Sequence, residues 1–285
     1  MWFHAWMHDD GVDITTTHRA LSTLVAAVLL AALLVVAVPV VRHLGPQAAD
    51  ASPSQLLPGL FPTTTKPAPT TTTKPKPKTD VPDITWLASP IGEIPTFDGP
   101  GGKHIGHAGY FFGYAQTMPI LERRMVGKIA WLKIRVPERP NGKTAWVEAW
   151  RTKIGSSRYR IVLHRDTTTL VGYKDGFRSF SMPAGIGKES TPTPLGNFYV
   201  AVIERPGPHG YGPVVLDTSG HSEAIQSWQG AGDAIIAAHG PISSSSDAKI
   251  GTTGTYISNG CIRLHEADQI KLDVIPLGTP FDIVP

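Results

Sequence analysis

Cys261 is the only cysteine in 285 residues, held between a glycine and an arginine in YISNGCIRLHEAD (256–268). A lone cysteine is usually a small buried hydrophobe. Its setting argues for chemistry instead. Gly260 lets the backbone turn and lets another chain approach closely, while the polar Ser258, Asn259 and Arg263 surround the thiol. Upstream, the apolar run DAIIAAHG ends in His239 and Gly240, where a strand would deliver a histidine to the mouth of a cleft. A free thiol has a pKa of about 8.5, and the thiolate is the attacking species. An imidazole brought beside it can take the proton, giving a thiolate–imidazolium pair. A tight Asn-Gly-Cys turn can aim the N–H groups of Gly260 and Cys261 at a developing oxyanion. The chemistry expected of this set is acyl transfer through a thioester, with Cys261 as nucleophile and His239 as base.

Other candidates are weaker. His221, in TSGHSEAIQSW, and Tyr256 are candidates to line the cleft, against a satisfied structural histidine and a core-packed tyrosine. His104 and His107 stand in HIGH, within a Gly-Pro-rich stretch that reads as a loop, without an acidic or cysteine partner nearby; no metal site is expected. One cysteine excludes an internal disulfide framework and a multi-cysteine metal site. The chain has no HExxH. A net charge of +3 with no basic helix gives no case for nucleic acid. No cofactor is expected.

The elements that must position Cys261 and His239 read as strands. Gly 29 and Pro 26 favour turns and linkers over long helices. SRYRIVLHR, TTLVGYKDGFRSFSM, GNFYVAVIE, PVVLD, DAIIAAHG and TPFDIVP all have strand character, with KDG (174–176) as a hairpin turn. HEADQIKLDVI is the best short helix, with Ile270 and Val274 four apart on one face. Before this unit, AWLKIRVP (130–137) and KTAWVEAW (143–150) alternate as half-buried strands joined by ERPNGK. Short strands and tight turns there suggest a small barrel.

The N-terminal part is different. Residues 20–41, ALSTLVAAVLLAALLVVAVPVV, carry no charge and are long enough to cross a bilayer. A cleaved signal peptide is the competing reading. Thr63–Asp80 lacks large apolar residues and is rich in Pro, Thr and Lys, so it reads as an extended stalk.

HG followed by SNGCIRL resembles the signature of the L,D-transpeptidase (YkuD) catalytic domain: His-Gly, a spacer, then Ser-x-Gly-Cys-x-Arg. TPTPLGNFYV (191–200) and IPLGTPFDIV (275–284) are similar to other segments of that family. WLKIRVPERPNGKTAWV resembles the SH3-like barrels that precede this domain in actinobacterial members. The resemblance implies a mainly β chain: residues 1–19 cytoplasmic, 20–41 a transmembrane helix, 42–82 a linker, 83–154 an SH3-like domain and 155–285 a β-rich catalytic domain with one or two short helices. It implies a peptidoglycan L,D-transpeptidase, anchored in the cytoplasmic membrane with its catalytic domain outside, that joins stem peptides by 3→3 cross-links. The alternatives are a carboxypeptidase-type cysteine hydrolase and a scaffold whose site has lapsed. A monomer, acylated by carbapenems, is expected. Cys261 and His239 would be catalytic. Gly260, Ser258, Asn259, Arg263 and Gly240 would shape the oxyanion site or position substrate. Two departures from the family pattern are Pro241 after His-Gly and a longer Ser-rich spacer.

Overall fold

The computed structural model describes residues 79–207, 210–228, 232–252 and 255–285. The segment 1–19 expected to be cytoplasmic, the transmembrane helix expected over 20–41 and nearly all of the linker expected over 42–82 lie outside the described residues. Among the described residues, no helix is long and apolar enough to cross a membrane.

The first part of the chain contributes Thr85–Pro90 (β1), Ile94–Phe97 (β2), His104–Ala108 (β3), Tyr110–Phe111 (β4), Tyr114–Ala115 (β5), Met118–Val126 (β6), Ile129–Arg135 (β7), Thr144–Glu148 (β8) and Thr152–Ser157 (β9). Seven of these form an antiparallel sheet in the order β3-β2-β8-β7-β6-β1-β9, and β4 with β5 makes a small hairpin. Both expected strands of the ERPNGK hairpin are present. The pairing leaves β3 and β9 at the sheet edges, so the hydrogen bonding does not close the barrel expected from the turn spacing.

The second part contributes Tyr159–His164 (β10), Thr169–Lys174 (β11), Phe177–Pro183 (β12), Ile186–Gly187 (β13), Gly196–Glu204 (β14), Val215–His221 (β15), Ile235–His239 (β16), the short helix Ser244–Asp247 (α1), Tyr256–Ser258 (β17), Ile262–Arg263 (β18), the short helix Glu266–Gln269 (α2) and Pro280–Val284 (β19). Eight strands form one sheet in the order β12-β11-β10-β19-β14-β15-β16-β18. It is parallel at β10–β19 and at β16–β18. The KDG turn is a hairpin in which Asp175 and Gly176 both take left-handed φ, 55° and 75°, as a two-residue primed turn demands.

β14 and β16 read as near-continuous apolar runs because both of their faces are covered. One face, with Phe198, Val200, Ile236 and Ala238, joins a core with Ile161, Leu163, Leu216, Ile262 and Phe281. The other, with Tyr199, Ala201, Val202 and Ile235, shares a core with Ile94, Met118, Leu132, Ile134 and Val147 of the first sheet. Gln116 ties the two: its Nε2 donates to the Ala201 carbonyl (3.1 Å), and its Oε1 accepts from the Tyr199 hydroxyl (3.2 Å).

Three local expectations change. The Gly-Pro-rich stretch is a loop only between Phe97 and His104. His104 and His107 both lie on β3, because the polar strand has a partner in β2. The C-terminal helix is a single turn, Glu266–Gln269, followed by a 3-10 turn over Ile270–Leu272. Ile270 and Val274 face solvent, and Gln269, Leu272 and Ile275 are buried instead. Finally, β15 runs beyond Asp217 through Thr218, Ser219 and Gly220. Its hydroxyls have partners: Thr218 donates to the Ile236 carbonyl, and Ser219 accepts from the Tyr199 N–H.

Candidate active site

The parallel pairing of β16 with β18 sets Ala238 opposite Ile262 and His239 opposite Arg263. Neighbouring residues in register share a face, so Ala237, His239 and Arg263 point to one side, and Cys261 enters the same strand at the level of Ala237. Ordinary strand spacing then puts the Cα atoms of Cys261 and His239 about 8 Å apart, a gap that a thiol and an imidazole can span. The alternate side chains, Ala238 and Ile262, fill the core beneath.

Cys261 stands where the β16–β18 ladder begins. Its Sγ lies 3.9 Å from the Ile235 carbonyl, and the Ala237 backbone also bonds it. The side chain is partly exposed. Its thiol is nevertheless pushed up to about 11, by burial first; the Ala237 backbone and the Arg263 charge oppose that, and Asp217 adds to it.

His239 is buried. Its Nδ1 lies 2.7 Å from the Gly240 carbonyl, which can only accept, so Nδ1 carries the proton and Nε2 is left as the basic nitrogen. Tyr211 packs edge-on to the ring, with centroids 4.3 Å apart. Burial, and then the Arg263 charge, lower the imidazole to about 3, against the Gly240 contact. The resting pair is thus a neutral thiol and a neutral imidazole, not the ion pair expected from the residue types. Arg263 acts on both groups, favouring the thiolate and disfavouring the imidazolium.

Hydroxyls fix the turn before Cys261. Ser258 Oγ donates to the Cys261 carbonyl (2.6 Å) and accepts the Gly260 N–H (3.1 Å). Thr193 Oγ1 donates to the Gly260 carbonyl (2.7 Å) and accepts the Gly187 N–H (2.9 Å). Gly260 has φ 125°, a conformation that a side chain would strain. Ser258 therefore shapes the turn, and the Gly260 N–H, expected to face the oxyanion, already has a partner.

The other candidate residues separate. Asn259 Oδ1 accepts from Lys188 Nζ at 3.4 Å. Gly240 donates its N–H to the Tyr211 carbonyl (2.8 Å), so close that an added Cβ would sit 2.9 Å from that oxygen. Arg263 is buried; Nη1 donates to Ser246 of α1, while Nε has no hydrogen-bond partner among the described residues. The Ser-rich segment after Pro241 thus folds as α1, capped by Ser243, and is fastened beside the site by Arg263–Ser246 and by Asp247–His265 (2.7 Å).

His221 does not join Cys261. It is buried where the two sheets meet, edge-on to Phe111, with Nδ1 2.7 Å from Asp233. Burial lowers its pKa, and Asp233 opposes this. Tyr256 is neither core nor covered: it lies exposed on β17, opposite Ile186. His104 and His107 pack edge-on to each other, 4.9 Å apart, on the first sheet. Among the described residues there is no group of three or more His, Cys, Asp or Glu able to hold a metal.

Three contributors were not foreseen from sequence. Thr193 sat within the TPTPLGNFYV segment, which gave the only signal for it. Tyr211 stands in a Gly-Pro stretch with no periodicity. Gln269 is fully buried, and its Nε2 donates to the carbonyls of Tyr211 and Val214, both at 2.8 Å, bracing the segment that contacts His239. A polar helix residue gives no sequence sign of such burial.

Residues 158–283 match the family model described as YkuD, the L,D-transpeptidase catalytic domain. That stretch is similar to L,D-transpeptidase catalytic domains of the YkuD type. A Bacillus licheniformis protein provisionally assigned as the L,D-transpeptidase YkuD is 32% identical over 129 residues, 45% of this chain and 66% of its own length. Among solved structures, an L,D-transpeptidase from Mycobacterium smegmatis is 17% identical, with a TM-score of 0.35 over 55% of this chain and 91% of that one. L,D-transpeptidase 3 from Mycobacterium tuberculosis, in complex with a faropenem-derived adduct, is 14% identical, with the same score and the same two coverages.

Proposed function

We propose that this protein is a peptidoglycan L,D-transpeptidase that forms 3→3 cross-links through a cysteinyl thioester. The observation that carries the reading is the placement of Cys261 and His239 on one face of two paired strands, within a stretch that matches the catalytic-domain family.

In this reading Cys261 Sγ attacks the acyl carbonyl of a donor stem peptide, and its proton passes to His239 Nε2. A thiol held near 11 and an imidazole held near 3 do not exchange that proton at rest, so the transfer accompanies attack. The carbonyl oxygen becomes an oxyanion, to which we assign the Cys261 N–H, since the Gly260 N–H bonds Ser258. The tetrahedral adduct collapses by breaking the C–N bond. His239 gives its proton to the departing D-alanine amine, leaving the thioester. An acceptor amine then attacks the thioester, forming the new amide, and the thiol regains a proton. Water as acceptor would give the carboxypeptidase outcome.

The first sheet braces this site by sharing a core with β14 and β16. The expected anchor at 20–41, the extracellular placement of the catalytic domain, the SH3-like kinship of the first unit, the monomeric state and acylation by carbapenems belong to the same proposal. Intact mass of the full-length chain after exposure to a carbapenem tests the nucleophile: one adduct, lost in Cys261→Ser, is expected. Mass analysis of muropeptide products then separates 3→3 dimers from trimmed tripeptides. No adduct and no product would return the protein to the scaffold reading.

A further inference from the structure

Asp217 is a buried acid that the mechanism above does not use. It lies on β15 directly opposite Ala237 of β16, and Cys261 stands at the level of Ala237 on the far side of that strand. Opposed residues share a face. The carboxyl of Asp217 and the thiol of Cys261 therefore flank the small Ala237 methyl, with Cα atoms roughly two strand spacings, about 10 Å, apart. The two groups sense each other, because the Asp217 charge acts on the Cys261 thiol. It acts on Tyr114 of the β4–β5 hairpin as well.

Asp217 is 8% exposed. Only burial and the nearby Glu204 carboxylate act on its ionisation, both raising it, to about 8. Neither a cation nor a hydrogen bond from a described residue offsets them. An acid held this way in a core would ordinarily be replaced or paired, and one kept beside a nucleophile points to an external partner. On the same face, two residues beyond Cys261 along β18, Arg263 brings a buried positive charge. The thiol thus shares its face with a carboxyl two strands away and with a guanidinium on its own strand.

We infer that Asp217 forms a subsite for a side-chain ammonium group on the peptide that approaches Cys261. This rests on the stem-peptide reading, and it names the group on the substrate that the β15 end of the cleft selects. On binding, the carboxyl proton leaves to solvent and a carboxylate–ammonium pair replaces it. An acylated amine has no charge to offer, and would leave the acid as buried as before.

The test uses the full-length Cys261→Ser chain, which binds without turnover, and calorimetric titration with two tetrapeptide stems. In one the side-chain amine is dimethylated, keeping its charge; in the other it is acetylated. The charged peptide should bind at least tenfold tighter, and the difference should shrink to within twofold when Asp217→Asn is added. Equal binding of the two peptides overturns the inference, as does a preference that survives Asp217→Asn. If that variant does not fold, the comparison on Cys261→Ser alone decides. Binding of neither peptide also overturns it, and the carbapenem adduct on the unaltered chain then shows separately whether the thioester reading stands.

Discussion

Ser258 and Cys261 are joined through the backbone: the serine Oγ donates to the Cys261 carbonyl at 2.6 Å, and the same oxygen receives the N–H of Gly260. One hydroxyl therefore sets the shape of the turn that presents the thiol. Ser258→Ala removes both bonds at a position that is 1% exposed. The expected cost is about 1–3 kcal/mol of stability, from two backbone groups left unpaired. Carbapenem acylation should slow by about tenfold or more as the thiol loses its aim. Thermal unfolding and time-resolved intact mass read the two effects; unchanged acylation would show that the turn holds without the hydroxyl.

The acid–base pair predicts a distinctive pH profile. With the thiol raised to about 11 and the imidazole lowered to about 3, both groups are neutral through the physiological range. Alkylation of Cys261 by iodoacetamide should rise about tenfold per pH unit between 7 and 10, following the thiolate fraction. No step near pH 6.5 should appear. A plateau already reached at pH 7 would mean a preformed thiolate–imidazolium pair.

Stability should depend on pH through His239 and Asp217, in opposite senses. The folded imidazole sits below its ordinary 6.5. The unfolded chain then binds the extra proton, and this contribution is lost as pH falls from about 6.5 towards 3. Folded Asp217 sits above its ordinary 3.8, at about 8. The folded chain then binds the extra proton, so stability falls as pH rises from about 4 to 8, by at most about 1.4 kcal/mol per unit. Asp217→Asn should therefore stabilise the protein more at pH 8 than at pH 4, as read by denaturant unfolding at the two pH values.

Where the two sheets meet, Asn141 bonds the backbone of His221 twice: its Oδ1 accepts the N–H and its Nδ2 donates to the carbonyl, both at 2.8 Å. Arg139 forks onto Asp233 beside it. Asn141→Ala leaves two backbone groups of a buried residue unpaired and should cost about 1–3 kcal/mol. Arg139→Ala should cost less, about 1 kcal/mol, because that pair is partly exposed. Equal losses in denaturant titrations would overturn this ranking.

Gly240→Ala places a methyl against the Tyr211 carbonyl and Gln269. Backbone cannot yield there without moving His239, so acylation should fall by about tenfold or more while Cys261 is still alkylated by iodoacetamide at high pH. Full acylation would show that the Tyr211 segment gives way.

Much of the candidate site's layout was legible in the chain because its contacts are local. Gly260, Cys261 and the hydroxyl of Ser258 act within one turn, and His239 ends an apolar strand. Strands with alternating or continuous apolar patterns, and the Asp175-Gly176 turn, were legible for the same reason. Ile270 and Val274 misled because their helical spacing says nothing about which face meets a core. His221 was drawn towards the cleft by its residue type, yet its neighbours are Phe111, Asn141 and Asp233, all distant in sequence or across a loop.

By itself, the sequence determined the candidate nucleophile, its likeness to a family and the β character of its surroundings, since these rest on residue identity and short-range spacing. Only the tertiary structure decided the protonation of the pair, the partner of the Gly260 N–H, the bracing by Thr193, Tyr211 and Gln269, and the placement of Asp217 and Arg263 on the face of Cys261. Burial and long-range register set those, and neither is encoded within any one segment.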